Sequence, residues 1–376
     1  MDLVRSFTSA SFIHQGGEAC IYKVQGESSK TYCFKWYNAG VSNDASVIEK
    51  LQKLNVPGVY RILESGAVEG RPYIVYDYVD GVSSKELSPM PLGVALHSLR
   101  KIVAALQALR GAGISHGDIN PSNVFFDRSA SPVLMDFGIV GPGALHFSAP
   151  ERFSGAAPSE KSDLFSLGAL LYFWVAGEPL LEGETFEQIR GAMENLGPEK
   201  IGLSLLEKIQ AKKVSLSPED LSLLEPLWKG LLEPSPDARL EDLEELDELL
   251  EIALEKLGGA GVQLARVLEN FGQRISEILQ KNETKTLENA DLPFLNSGIS
   301  PKKGKKGFYF GACLFILIVL VLALLAFFGR SESSVDETGA LLMQKTRDSQ
   351  MQAAPDSVEM PNLEGVLERL KPEEGE

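Results

Sequence analysis

The sequence predicts an α+β chain in which a small β-rich lobe precedes a larger helical lobe, followed by a single transmembrane helix. Three observations carry this. Residues 21–24, 31–37 and 73–78 are rich in aromatic and β-branched side chains and are separated by turns containing Gly and Ser, as strands are. Beyond Leu92 the texture turns helical, with Leu96, Leu99, Ile102, Val103, Leu106 and Leu109 at three- and four-residue spacing and Leu-rich stretches continuing to about residue 254. The run 307–329 carries no charge, and about 20 apolar residues suffice to cross a bilayer.

The chain has 376 residues, with 36 Lys and Arg against 52 Asp and Glu, a formal net charge of −16. That balance excludes an ordinary nucleic-acid binder, which needs a basic face to track phosphates. A hydrophobic fraction of 44% is that of a globular protein. Three scattered cysteines, Cys20, Cys33 and Cys313, make no disulfide framework, and four separated histidines give no metal-ligand spacing. Both fit a reducing compartment. Lys302, Lys303, Lys305 and Lys306 precede the apolar run and Arg330 follows it, a bias that places the N-terminal side in the cytoplasm of a single-pass protein of the cell (inner) membrane. The opening MDLVRSFTSASF lacks the apolar core of a signal peptide.

Chemistry concentrates in three ordered segments, HGDINPSNVFF (116–126), VLMDFG (133–138) and SAPE (148–151). One Asp in a loop is most often a turn residue, but this order and spacing is not expected of turns. Over residues 10–255 the sequence resembles the protein kinase family, in its bacterial Hanks-type serine/threonine branch. The resemblance implies a bilobal protein-kinase-like domain over 1–255, with an N-lobe to about residue 79 and a C-lobe from about 80. A juxtamembrane linker (256–306), the membrane helix (307–329) and an acidic, mostly disordered extracytoplasmic tail (330–376) complete the organisation.

The resemblance also implies roles, with ATP and Mg²⁺ as cofactors. Asp118 matches the base that accepts the substrate hydroxyl proton. Asn123 and Asp136 match the metal ligands, and Lys35 the lysine that orients the α- and β-phosphates. Gly16, Ile21 and Cys33 would line the nucleotide pocket. Tyr76 would be the gatekeeper, and the backbone from Asp77 to Val79 would meet adenine. Glu151 and Arg239 resemble a buried ion pair, and Asp163 resembles the acid that braces the catalytic loop. Such a site works by positioning a hydroxyl and placing charge on the phosphates, with little covalent work by the protein.

Departures from the family pattern are as informative. In HQGGEA (14–19), His14 and Ala19 replace two glycines of the phosphate loop and Gly16 alone fits it. The helix position whose glutamate pairs with the strand lysine falls on Val47; Glu49, after a register shift, or Asp44, one turn earlier, could substitute. Asn120 replaces a lysine, Ala144 a threonine, and Gly117 an arginine that receives activation-loop phosphate. The segment 139–148 holds Ser148 as its single hydroxyl, so activation by phosphorylation in cis is not expected.

Three functions compete: a membrane-tethered serine/threonine protein kinase, a pseudokinase that recruits partners, and a small-molecule kinase of the aminoglycoside phosphotransferase type. SAPE and SDLFSLG (162–168) argue against the third. Finally, Leu264, Leu268, Phe271, Ile275 and Ile278 form one helical stripe within 262–280, which serves either as a homodimer seam or as a surface that folds back on the helical lobe.

Overall fold

The computed structural model describes residues 3–290, apart from positions 28, 42, 139–140, 142, 196–197, 212–213, 215 and 258–260. The expected membrane helix and the tail lie outside the described residues. Among the described residues one helix is long and apolar enough to span a bilayer, Leu92–Arg110, and 67% of its most apolar window is buried within the protein.

The N-lobe is a five-stranded antiparallel sheet of β1 (Phe7–Gln15), β2 (Ala19–Gly26), β3 (Thr31–Tyr37), β4 (Ile62–Val68) and β5 (Arg71–Asp77), in the order β1-β2-β3-β5-β4. Alternation along β3 decides which side chains reach the cleft. Phe34 and Trp36 point into a small core with Phe7, Tyr22, Val24 and Val75. Cys33 and Tyr37 face the other way and join the main core with Ile74 and Tyr76, which puts Lys35 on the cleft side. One helix, α1 (Ala45–Gln52), packs beneath the sheet through Ile48 and Leu51. Asp44 caps it, accepting from the N–H groups of Ser46 (3.0 Å) and Val47 (3.3 Å).

The C-lobe begins with β6 (Gly81–Ser83), α2 (Ser84–Leu87) and α3 (Leu92–Arg110), followed by β7 (Val124–Asp127) and β8 (Pro132–Leu134), which with β6 form a second, three-stranded sheet. The helices α4 (Pro150–Phe153), α5 (Glu160–Ala176), α6 (Phe186–Glu194), α7 (Pro198–Gln210), α8 (Pro218–Leu231), α9 (Leu243–Leu257) and α10 (Gly261–Ala290) complete it. Buried on all sides, α5 is the axis of the lobe and starts from a capping box between Ser159 and Ser162.

The core continues into α10. Phe271, Ile275 and Leu279 are buried in the main cluster, with Leu268 and Ile278 packed against it. The Phe271 ring meets that of Phe126 edge-on at 5.2 Å, and Arg274 donates to the carbonyl of Leu87 at 3.0 Å. Of the two uses expected for this stripe, the structure has the fold-back one. Phe271 and Ile275, which a homodimer seam along 262–280 would need, are covered by the lobe of the same chain.

Candidate active site

The catalytic loop runs between α3 and β7 and is held from below by Asp163 of α5. Its carboxylate accepts from the backbone N–H groups of His116 (2.7 Å) and Gly117 (2.8 Å). Burial pushes the Asp163 carboxyl up to about 7, against the lowering effect of those two hydrogen bonds. His116 is buried as a neutral ring, its Nε2–H donating to the carbonyl of Met135 (2.9 Å) and its Nδ1 accepting from the N–H of Asp118 (3.2 Å). Desolvation pulls its pKa down to about 4, consistent with that tautomer. The Phe137 ring packs against His116 at 4.2 Å and stacks near-parallel on Tyr60 at 6.0 Å, so the phenylalanine of Asp136-Phe137-Gly138 points inward.

Asp118 is enclosed by donors. Oδ1 accepts from the backbone N–H of Ala144 at 2.7 Å, and Oδ2 accepts from Asn123 Nδ2 at 2.8 Å. Burial nevertheless dominates and raises the carboxyl to about 6. Gly143 makes the approach of Ala144 feasible: it has φ +80°, and a Cβ there would stand 2.7 Å from Asp118 Oδ1. Asn120 turns both ends of its amide into the loop, Nδ2 to the carbonyl of Asp118 (3.1 Å) and Oδ1 to the N–H of Ser122 (2.9 Å). It is a loop brace rather than a stand-in for a phosphate-binding lysine.

Lys35, 5% exposed, forms an ion pair with Asp136 across the cleft. Burial pulls its pKa down, but the Asp136 carboxylate outweighs this and holds the ammonium above its ordinary value. The ammonium also lies 4.9 Å from the centroid of the Tyr37 ring. Neither acid expected on the helix pairs with it. Asp44 is engaged as the cap of α1, and Glu49 is exposed on its outer face. The physical reason is the face that α1 turns inward, where Ile48 and Leu51 are buried and Val47 packs against the core while Glu49 is left to solvent. The start of α1 meets the metal loop through the backbone instead, where the Asp44 N–H donates to the carbonyl of Gly138 at 3.0 Å.

Gly16, Ile21, Cys33, Tyr76 and Asp77 lie in the N-lobe sheet and its turns. Gly16 closes the β1–β2 turn, its N–H donating to the carbonyl of Ala19 at 2.9 Å, and Ile21 is half-buried opposite Lys35 in the ladder. Cys33 is buried, and desolvation pushes its thiol up to about 11, so it is a packing residue. Tyr76 is buried beside Cys33 and Tyr60. Asp77 ends β5, and the half-buried connector through Val79 links the lobes. Glu151 and Arg239 form the expected bidentate pair at 2.8 and 3.1 Å.

Two features escaped the sequence reading. Asn38 ties down the phosphate-loop remnant, its Nδ2 donating to the carbonyl of Gly17 (2.9 Å) and its N–H to that of Glu18 (2.7 Å). Arg152, directly after SAPE, is buried beside the catalytic loop. Its position next to a recognised motif was the one available signal.

A sheet lobe and a helical lobe enclosing Lys35, Asp118, Asn123 and Asp136 define the kinase class. The chain belongs to the protein kinase domain family, whose family model matches residues 7–250. The probable serine/threonine-protein kinase PknB of Lactococcus lactis is 26% identical over 223 residues, which cover 50% of this chain and 35% of that protein. PknE of Mycobacterium bovis is 24% identical over 238 residues, covering 55% and 42%. The chain thus spans less than half the length of these relatives. The solved kinase domain of Mycobacterium tuberculosis PknI has a TM-score of 0.53 at 20% identity, covering 67% of this chain and 99% of that one, a likeness of fold.

Proposed function

We propose that this chain is an ATP-dependent serine/threonine protein kinase held at a membrane by residues 307–329. The observation that carries the reading is the convergence of Asp118, Asn123, Asp136 and Lys35 on one cleft. Asn123 makes both of its side-chain hydrogen bonds to Asp118 through Nδ2, so its Oδ1 and the partly exposed Asp136 carboxylate are the oxygen donors suited to Mg²⁺. The metal would supply charge that offsets the phosphates. Lys35 would orient the phosphates, and Asp118 would receive the proton of the substrate hydroxyl. The kinase names of the relatives support the same reaction. The lysines before residue 307 support a cytoplasmic catalytic domain.

The test is phosphotransfer from labelled ATP to a protein substrate by the full-length chain, with Asp118→Asn as the control. Removal of a general base costs about 10²-fold or more, while nucleotide binding should persist. Equal activity in the two proteins would refute the assignment. For topology, a reporter fused after Glu376 should behave as extracytoplasmic, and a cytoplasmic signal would overturn the anchoring.

A second reading, a nucleotide-binding scaffold with little transfer, is favoured by one observation: Lys35 has no helix carboxylate to orient it. Mg²⁺-dependent ATP binding by wild type without any Asp118-dependent transfer would select it.

A further inference from the structure

Gly117 leaves no room for a side chain in the catalytic loop. Its φ is +79°, and a Cβ there would stand 2.8 Å from Cγ and 2.9 Å from Cβ of Pro158, so no larger residue fits without moving the loop before α5. The nearest cation reaches that place from elsewhere, since Arg152 Nη2 lies 3.9 Å from the same point. Arg152 is 6% exposed. Through Nη2 it donates to the carbonyl of Gly141 and through Nη1 to that of Ala156, so one guanidinium joins the start of the activation segment to the loop that follows α4. Its Nε is buried without a hydrogen-bond partner. Burial lowers its pKa, while the carboxylates of Asp163, Asp118 and Glu151 act to keep it charged. Glu151, the preceding residue, is pinned by Arg239, which fixes the helical turn from which Arg152 projects.

We infer that Arg152 is a positioning residue that braces the activation segment permanently from the SAPE side, in place of a catalytic-loop arginine and without any phosphate. The inference rests on the reading of Asp118 as the base. A planar guanidinium with two forked donors can hold two carbonyls at a fixed separation, which an ammonium on a flexible stem cannot. Holding Gly141 and Ala156 in register keeps the Ala144 N–H on Asp118 Oδ1.

The experiment uses full-length protein with Arg152→Met and Arg152→Lys. The kcat and nucleotide KM of phosphotransfer and the amide exchange of 141–156 are measured. Arg152→Met should lower kcat about tenfold with nucleotide KM unchanged and speed exchange in the segment about tenfold or more, with α5 still protected as evidence of folding. Arg152→Lys should behave like Arg152→Met in both readouts, because charge is restored and the fork is not. Overturning results are unchanged exchange in the segment of Arg152→Met, a rise in its nucleotide KM with kcat unchanged, or restoration of wild-type behaviour by Arg152→Lys. An inactive wild type would count against the kinase reading alone, and the exchange arm would then decide for or against the brace.

Discussion

Ala144 and Asp118 are joined through the main chain: the N–H of Ala144 donates to Oδ1 of Asp118 at 2.7 Å. A threonine side chain is not needed to reach the acid, because Gly143 lets the backbone itself come close. This ties the carboxylate proposed as the base to the path of the segment before SAPE.

The first prediction concerns pH. Burial raises Asp118 to about 6, and a base works only when ionised. Transfer should therefore be full above pH 7 and fall through a midpoint near 6, by about tenfold per unit below it. A profile flat down to pH 5 would show that Asp118 is not the group titrating.

A second prediction separates Lys35 from the acids of α1. Lys35→Met removes a buried ion pair with Asp136, and loss of charged hydrogen bonding of about 1.5–3 kcal/mol corresponds to nucleotide binding weaker by about 10- to 100-fold. Glu49→Ala should change neither binding nor stability, the latter by no more than about 0.5 kcal/mol, because Glu49 is exposed. Titration calorimetry with an ATP analogue and Mg²⁺ reads both. A large effect of Glu49→Ala would restore the helix–lysine pair.

Asp44 should matter for a different reason. As the cap of α1 it accepts two backbone N–H groups, so Asp44→Ala should cost about 1 kcal/mol of stability. Asp44→Ser should recover most of it. Denaturant midpoints distinguish this capping role from electrostatic help to Lys35, which serine could not replace.

The fourth prediction tests the phosphate loop. Asn38→Ala removes the donor to the Gly17 carbonyl, and a hydrogen bond of about 1 kcal/mol net sets the scale, a rise in nucleotide KM of about fivefold with little change in kcat. An unchanged KM would mean that the turn holds its shape unaided.

Much of this architecture was legible because its signals are local. The expected strand over 31–37 coincides with β3 (Thr31–Tyr37), where nearly every residue is aromatic, β-branched or apolar. By contrast β1 went unnoticed, since Phe7–Gln15 is exposed at most positions and carries Ser and Thr where a core-facing alternation would show. β4 (Ile62–Val68) was hidden by its Glu, Ser and Gly and by a bulge between Ile62 and Glu64. Asp118, Asn123 and Asp136 could be named because they lie within short motifs. The partner of Lys35 could not, because it depends on which face α1 turns inward. Nor could the relation of Gly117 to Arg152, which follows from the collision of a missing side chain with Pro158. Periodicity showed that the α10 stripe would be buried, but spacing alone does not say against which surface.

The docking of α10 decides where this chain can be cut. The family match stops at residue 250, and a fragment ended there loses Phe271, Ile275 and Leu279 from the lobe. The face of Phe126 that Phe271 covers would then be open to water, and large apolar patches of that kind promote self-association. Expressed in isolation, such a fragment should precipitate or run as aggregates on a sizing column. A fragment carried through Lys281 should elute as a single sharp species.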